Sequence, residues 1–384
     1  MKKARILLLI LFLLIPLTGC WDRTEINDLA FVVGTGVDKG PKQQYRFSVQ
    51  VPLPSSLGGT GSSGGGGGTS GEGPFLIATG TGRNIREGVE DIQARLSRKL
   101  YFAHRRVLVI GEDQAKEGIR EILNAVFTQP QSRLSTFLIV SKGEAVKMLK
   151  AQPRMELSSA EAMREMAKAG ANLTVMDVLQ NLDRQGKSLI IPMVEPTGTL
   201  KKERDGKEVL MGRFAVFKAD KLSFFTSKRE SHGILWLLER MKKKSYSFSV
   251  SKNKEMTVHI NENSVHPNLK IVNGNPEFAV SVRVTGHLVE NEANLRIEDP
   301  ATYNKIIENM EEKIKNDIHS ILKRAHTQGI DIYGFGWFLF KRHHQKWEHE
   351  WKRNWKSMLP HLKVTVNVDA DIQRTTNTGN VERN

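Results

Sequence analysis

The spacing of apolar and polar positions changes several times along the chain. Residues 29–37 are almost wholly apolar or small, and residues 45–51 alternate Tyr, Phe, Val and Val with Arg, Ser and Gln. Both stretches read as strands, the second half-buried. Asp38-Lys39-Gly40-Pro41 lies between them as a turn, so the pair is expected to form a hairpin. Residues 75–78 read as another strand. From Thr81 onward Ile85, Val89, Ile92, Leu96 and Leu100 recur every third or fourth position, which predicts a helix. A strand at 106–110 follows, then a helix carrying Ile119, Ile122, Leu123, Val126 and Phe127 on one face and stopped by Pro130. A strand at 135–140 and a short helix at 145–149 come next. Ser158-Ser159-Ala160-Glu161 is a capping box opening a helix through Ala169, and Thr174 with Asp177 opens another. Residues 189–194 are strand-like. Such alternation predicts mixed α/β layers.

The second half has a different rhythm. Residues 201–208 are charged and polar, and a domain boundary is placed there. Strands are predicted at 212–218, 221–226, 245–251, 257–260, 268–272 and 279–289, with 233–238 compactly apolar. Asp299 and Pro300 then open the strongest helix of the chain, with Ile306, Ile307, Met310, Ile314, Ile318, Ile321, Leu322 and Ala325 in one stripe and Gly329 at its end. A stripe of that width suits packing on a sheet. A last strand at 364–372 alternates Val364, Val366, Val368 and Ala370 with polar residues, and the tail from Arg374 is polar. The expected fold class is α+β (mixed) and multi-lobed: an N-terminal α/β region over 20–200, then a C-terminal antiparallel sheet packed with the long amphipathic helix over 208–376. Residues 57–73 are nearly all Gly, Ser and Thr, a composition that buries no apolar surface; they read as a flexible loop inserted between two strands.

The start of the chain belongs to neither region. Lys2, Lys3 and Arg5 lead an apolar run over 6–17, interrupted by Pro16, and Leu17-Thr18-Gly19-Cys20 closes it. A charged start, an apolar middle and small residues before a cleavage site make a signal peptide, 1–19. The run is shorter than the roughly 20 residues a membrane span needs. Leu-Thr-Gly-Cys is the lipobox pattern of bacterial lipoproteins, so Cys20 is expected to carry an S-diacylglycerol and an N-palmitoyl group. It is the sole cysteine, which rules out an intramolecular disulfide and a cysteine-built zinc site. The net charge is +15. Basic residues near an anionic membrane contribute about 1 kcal/mol each; nucleic acid is the other use of such charge, which an exported, lipid-anchored chain rarely meets, and a solvated basic surface is the plain one.

Motifs for chemistry are sparse. Gly34-Thr35-Gly36 and Gly80-Thr81-Gly82 lack the third glycine of a dinucleotide fingerprint, and no phosphate-binding loop follows a strand. His343, His344 and His349 near Glu348 and Glu350 do not fit the two-histidine zinc spacing and read as a surface helix. Trp347, Trp351 and Trp355 recur every four residues beside Lys346, Lys352, Arg353 and Lys356. They are a candidate interface with a membrane or a partner, or else a face packed on the domain's own sheet. No nucleophile elbow or paired-carboxylate frame is present. The residues therefore support no enzyme, cofactor or metal.

Five blocks carry a family resemblance. Gly19-Cys20-Trp21-Asp22-Arg23-Thr24-Glu25-Ile26-Asn27-Asp28-Leu29-Ala30 resembles the mature start of the Ger(x)C spore-germination lipoproteins. The block from Arg98 to Glu112, Glu156-Leu157-Ser158-Ser159, the block from Phe214 to Leu222, and Asp331-Ile332-Tyr333-Gly334-Phe335-Gly336 with a downstream Trp are similar to further family blocks in the same order. Ala103 stands where the family pattern has Gly, and the glycine-rich insertion is atypical. The resemblance implies several mixed α/β lobes and a non-enzymatic C subunit of a nutrient germinant receptor. It also implies lipid anchoring at the outer face of the spore's inner membrane, beside integral-membrane A and B subunits, with no nucleic acid and no small molecule bound directly. Two other expectations remain open on the residues: an extracytoplasmic solute-binding lipoprotein, and, with no residue to nominate, a cell-wall hydrolase.

Overall fold

The structure, a computed structural model, describes residues 25–53, 74–129, 131–197 and 208–373. Cys20 with its leader, the glycine-rich stretch 57–73, the charged stretch 201–207 and the tail from 374 lie outside the described residues.

Fourteen strands are described. β1 (Leu29–Phe31), β2 (Gly34–Lys39), β3 (Tyr45–Pro52), β4 (Phe75–Gly82), β5 (Lys99–Tyr101), β6 (Val107–Gly111), β7 (Phe137–Ser141), β8 (Ile190–Thr197), β9 (Glu208–Lys218) and β10 (Lys221–Phe225) build the first lobe. β11 (Ser245–Ser251), β12 (Lys254–Val272), β13 (Asn275–Asn291) and β14 (Val364–Gln373) build the second. The fold is α+β, as the sequence patterns predict. An eight-stranded mixed sheet runs β10-β9-β8-β7-β6-β2-β3-β4, a four-stranded sheet runs β11-β12-β13-β14, and β1 and β5 pair apart.

The central strands of the large sheet are covered on both faces, which is why Val107-Leu108-Val109-Ile110 is uninterruptedly apolar. Leu108 and Ile110 join the core beneath the helices Ile85–Gln93, Arg120–Phe127 and Val175–Leu182. Val107 and Val109 join the opposite core, beneath the helices Ala145–Lys150 and Ser159–Ala169. The second lobe packs the helix Pro300–Thr327 across its sheet, with Ile306, Met310, Ile314, Ile318, Ile321, Leu322 and Ala325 buried as the stripe demands. Asp299 caps that helix by accepting the Thr302 N–H at 2.9 Å.

Several expectations change in the folded chain. The helix from Thr81 ends at Gln93. There the Gln93 side chain accepts the Leu100 N–H and donates to the Arg98 carbonyl, taking over the ladder. Leu96 and Leu100 still pack on the same core, so their spacing reported burial, not helix. The run 29–37 splits at Val32-Val33, its first part pairing with β5 and its second with β3 and β6. Residues 233–237 belong to a helix, Lys228–Leu237, opened by a reciprocal Ser227/Glu230 capping box, with Leu238 its C-cap. The strands predicted at 257–260 and 268–272 are one strand, β12; beyond β11 it is an edge, where Pro267 is tolerated. The second sheet is not purely antiparallel: β14 runs parallel to β13, reached through the crossover that carries the long helix.

β9 and β10, placed by sequence at the start of the second region, hydrogen-bond into the first sheet. Their faces divide between the lobes. Ala215 and Phe217 enter the first lobe's core, whereas Phe214, Val216 and Phe224 enter the second's. The lobes thus share a continuous apolar contact. Among the described residues no helix is long and apolar enough to cross a membrane.

Candidate functional site

The most constrained place in the molecule is the seam where the segment after the helix Val175–Leu182 meets the turn Asp331-Ile332-Tyr333-Gly334-Phe335-Gly336. Asp331 is 2% exposed. One of its carboxylate oxygens accepts the N–H groups of Gly334 at 2.7 Å and Phe335 at 3.1 Å. The other accepts the N–H of Gly336 at 2.8 Å and the indole N–H of Trp355 at 3.1 Å. The carboxylate thereby caps the helix Phe335–Arg342, whose N-cap residue, Gly334, sits in the left-handed region at φ 93°. Burial raises the Asp331 pKa to about 6 against the opposing pull of these four donors.

The backbone of the first lobe closes over this turn. Ser188 donates its N–H to the Asp331 carbonyl at 2.8 Å, Asp331 donates its own N–H to the Ser188 hydroxyl at 3.1 Å, and Trp337 donates its N–H to the Gly186 carbonyl at 3.2 Å. Gly186 has φ 66°, and a Cβ there would lie 2.5 Å from the Gly336 Cα. The converse Cβ on Gly336 would lie 2.7 Å from the Gly186 Cα. Two backbones therefore touch where no side chain fits. Lys187, whose aliphatic carbons lie over Gly334, has its pKa lowered by burial and by Arg184, while Asp331 acts the other way.

The three tryptophans support this seam from inside. Trp347, Trp351 and Trp355 are 1%, 2% and 4% exposed. Trp347 donates its indole N–H to the Gln185 side chain at 3.0 Å, Trp351 to the Gly274 carbonyl at 3.1 Å, and Trp355 to Asp331. Trp347 and Trp355 meet edge-on at 5.5 Å. Of the two roles weighed for them, the structure places them in the internal one, spanning from the second lobe to the first. They do not lie on one straight α-helix: a π-helical turn, Trp347–Trp351, precedes the short helix Trp355–Met358. His344 and His349 stand exposed and His343 partly so. Among the described residues no group of three His, Cys, Asp or Glu side chains converges as a metal site would require.

A second buried carboxylate lies in the second lobe, and sequence reasoning passed over it. Asp317 is fully buried between the helices Lys228–Leu237 and Pro300–Thr327. It accepts the Tyr246 hydroxyl at 2.8 Å and Lys313 at 2.8 Å, with Arg229 at 3.4 Å and His232 at 3.7 Å. Burial raises its pKa, and the bonds from His232, Lys313 and Tyr246 outweigh that, so the net shift is downward. The available signal was its position: an acid inside the Ile314, Ile318, Ile321 stripe must be paired. Arg105 carries no local signal of burial, since Arg106 follows it before the four apolar residues 107–110 begin; it is 4% exposed.

Comparison with known proteins covers both halves of the chain. Residues 22–196 match the family model described as "Spore germination protein N-terminal domain", and residues 213–376 match "Spore germination B3/ GerAC like, C-terminal". The chain is similar to the Bacillus subtilis (strain 168) "Spore germination protein KC", 28% identical, across 97% of this chain and 96% of that protein. It is likewise similar to the same organism's "Putative spore germination protein YfkR", 29% identical across 85% of each. Among solved structures, the "Crystal Structure of the GerBC protein" superposes with a TM-score of 0.54 at 18% identity, covering 91% of this chain and 99% of that one, a likeness of fold.

Proposed function

This chain is a member of the Ger(x)C family of spore germination proteins, and on that premise we propose that it is the lipid-anchored C subunit of a nutrient germinant receptor. In this reading residues 1–19 are removed and Cys20 carries the lipid. Residues 20–200 and 208–376 form two domains outside the spore's inner membrane, beside integral-membrane A and B subunits. The observation that carries the reading is the match of both halves, in order, to the two germination-family models. The work of the body is non-enzymatic. The buried carboxylates among the described residues support this, because internal donors occupy each: four at Asp331, Tyr246 with Lys313 at Asp317, the Ala145 and Val146 N–H groups at Asp38, and Ser227 with Arg324 at Glu230. A tether of this kind raises the local concentration of the body beside its partners without any new contact.

The test is Cys20→Ala in the spore-forming host. The expected result is loss of the protein from the membrane fraction and slowed nutrient-triggered germination, with germination by non-nutrient routes unchanged. A variant that stays in the membrane fraction and germinates normally overturns the reading.

A further inference from the structure

Beside the first described residues lies an open cavity of about 480 Å³, lined by Ile26, Leu29, Phe31, Lys99, Tyr101, His104 and Gln131. Its floor is aromatic. Phe31 meets Tyr101 edge-on at 5.7 Å and His104 at 5.2 Å, with Tyr101 and His104 5.9 Å apart. Ile26 is 74% exposed at its mouth, and Lys99 stands on the rim. β1 and β5, paired apart from the large sheet, hold these side chains in place.

Arg105 is buried next to two of the lining positions. It follows His104 in the chain and donates to the hydroxyl of Ser132, the neighbour of Gln131. Among the described residues its Nε has no hydrogen-bond partner and no carboxylate offsets its charge, and burial lowers its pKa to about 10. An uncompensated buried cation is costly and favours a negative group nearby. In the adjoining turn Asp28 is engaged locally, accepting the Glu25 N–H.

Ile26 lies six residues after Cys20. Six extended residues reach at most about 20 Å. Under the anchored reading proposed above, on which this inference rests, the cavity mouth is therefore held within about that distance of the bilayer. We propose that this face docks on the membrane itself, with Ile26 in the interfacial layer and the phosphate headgroup of an anionic phospholipid seated between Lys99, His104 and the field of Arg105. An aromatic and aliphatic lining with a basic rim suits that layer, and each basic residue there contributes about as much as a surface ion pair.

The test uses the lipidated protein reconstituted into vesicles. Lipidation leaves no free thiol, so Gln131→Cys carries a fluorophore beside the cavity and Lys252→Cys carries one on a second-lobe hairpin. Headgroup nitroxide lipids serve as quenchers. Expected are strong quenching at 131 in phosphatidylglycerol vesicles, weak quenching there in phosphatidylcholine, and none at 252. Adding Lys99→Glu should weaken headgroup association about 30-fold, the equivalent of two charges at about 1 kcal/mol each. Three results overturn the proposal: quenching at 131 that ignores lipid charge and Lys99→Glu, equal quenching at both positions, or shielding at 131 only when membrane subunits are present. Label taken up by the otherwise unmutated chain would report a bare Cys20, and so the failure of the anchor rather than of the docking face.

Discussion

Gly336→Ala is the sharpest test of the seam between the lobes. The added methyl would lie 2.7 Å from the Gly186 Cα, 2.7 Å from the Trp347 ring and 2.7 Å from the Trp355 indole nitrogen. None of these is the free end of a flexible side chain. Gly186 is backbone, and both indoles are fixed by hydrogen bonds, to Gln185 and to Asp331. Overpacking a rigid site costs about 1–3 kcal/mol. Displacing Trp355 also removes one of four donors to a buried carboxylate, about 1–3 kcal/mol more. The sum, about 2–6 kcal/mol, is a large part of the ~5–15 kcal/mol that holds a domain folded. At about 2–4 °C per kcal/mol for domains of 150–250 residues, the melting temperature should fall by roughly 4–24 °C. Differential scanning calorimetry reads this directly, and Trp fluorescence should report the same loss because Trp347 and Trp355 line the contact. Alanine at 184, a half-buried position outside the glycine contact, serves as the comparison and should cost much less. A Gly336→Ala chain melting within about 1 °C of the parent would refute the close-contact argument.

Further expectations concern other parts of the molecule. His326 is 6% exposed, its Nε2 has no partner among the described residues, and burial lowers its pKa to about 4. The unfolded chain therefore binds more protons than the folded one between about pH 4 and 6.5, and stability rises with pH through that window. The contribution is complete above about 6.5 and is lost as pH falls, by up to about 3 kcal/mol. The difference in unfolding free energy between the parent and His326→Leu should grow with that slope; a constant difference from pH 4.5 to 7 contradicts it. At the second-lobe carboxylate, Asp317→Ala should destabilise by about 2–4 kcal/mol in urea unfolding, because it strands the Tyr246 hydroxyl and three basic groups. Lys313→Met should cost under about 1.5 kcal/mol, since Tyr246, Arg229 and His232 remain on the acid; equal losses would show that the pairing does not govern the site. Replacing 57–73 by a short turn should change stability by less than about 1 kcal/mol, because Pro52 already stands opposite Phe75 in the β3–β4 ladder. A loss of more than 3 kcal/mol would mean the stretch contributes contacts of its own.

How legible these features were in the sequence follows from the range of each interaction. The helix Pro300–Thr327 was readable because its cap, its first-turn proline, its stripe and its terminal Gly329 are all local. The capping box of Thr174 with Asp177 was readable for the same reason, and both of its hydrogen bonds form. The helix Lys228–Leu237 carries the same signature at Ser227 and Glu230, but its compact apolar run at 233–238 has no helical period that sets it apart from a strand. Leu96 and Leu100 misled because burial at helical spacing is not itself a helix. The tryptophan spacing predicted one shared helical face; a π-helical turn breaks that helix, yet all three rings are buried, and the spacing could not show against what. The deciding atoms, the Gln185 side chain and the Gly274 and Gly186 backbones, lie 77 to 162 positions away or are met only across the seam.

What the sequence determined by itself was whatever is encoded over one or two turns of chain: the exported start ending at Cys20 as an expectation, the succession of strands and helices, the mixed class, and the ordered blocks that mark the family. What tertiary structure alone decided was how one strand can serve two bodies. β9 gives Ala215 and Phe217 to one core and Phe214 and Val216 to the other. Alternation along a strand specifies that two faces exist, since side chains point to opposite sides of the sheet. Which lobe covers each face depends on chain segments far apart in sequence, and that information resides in their packing.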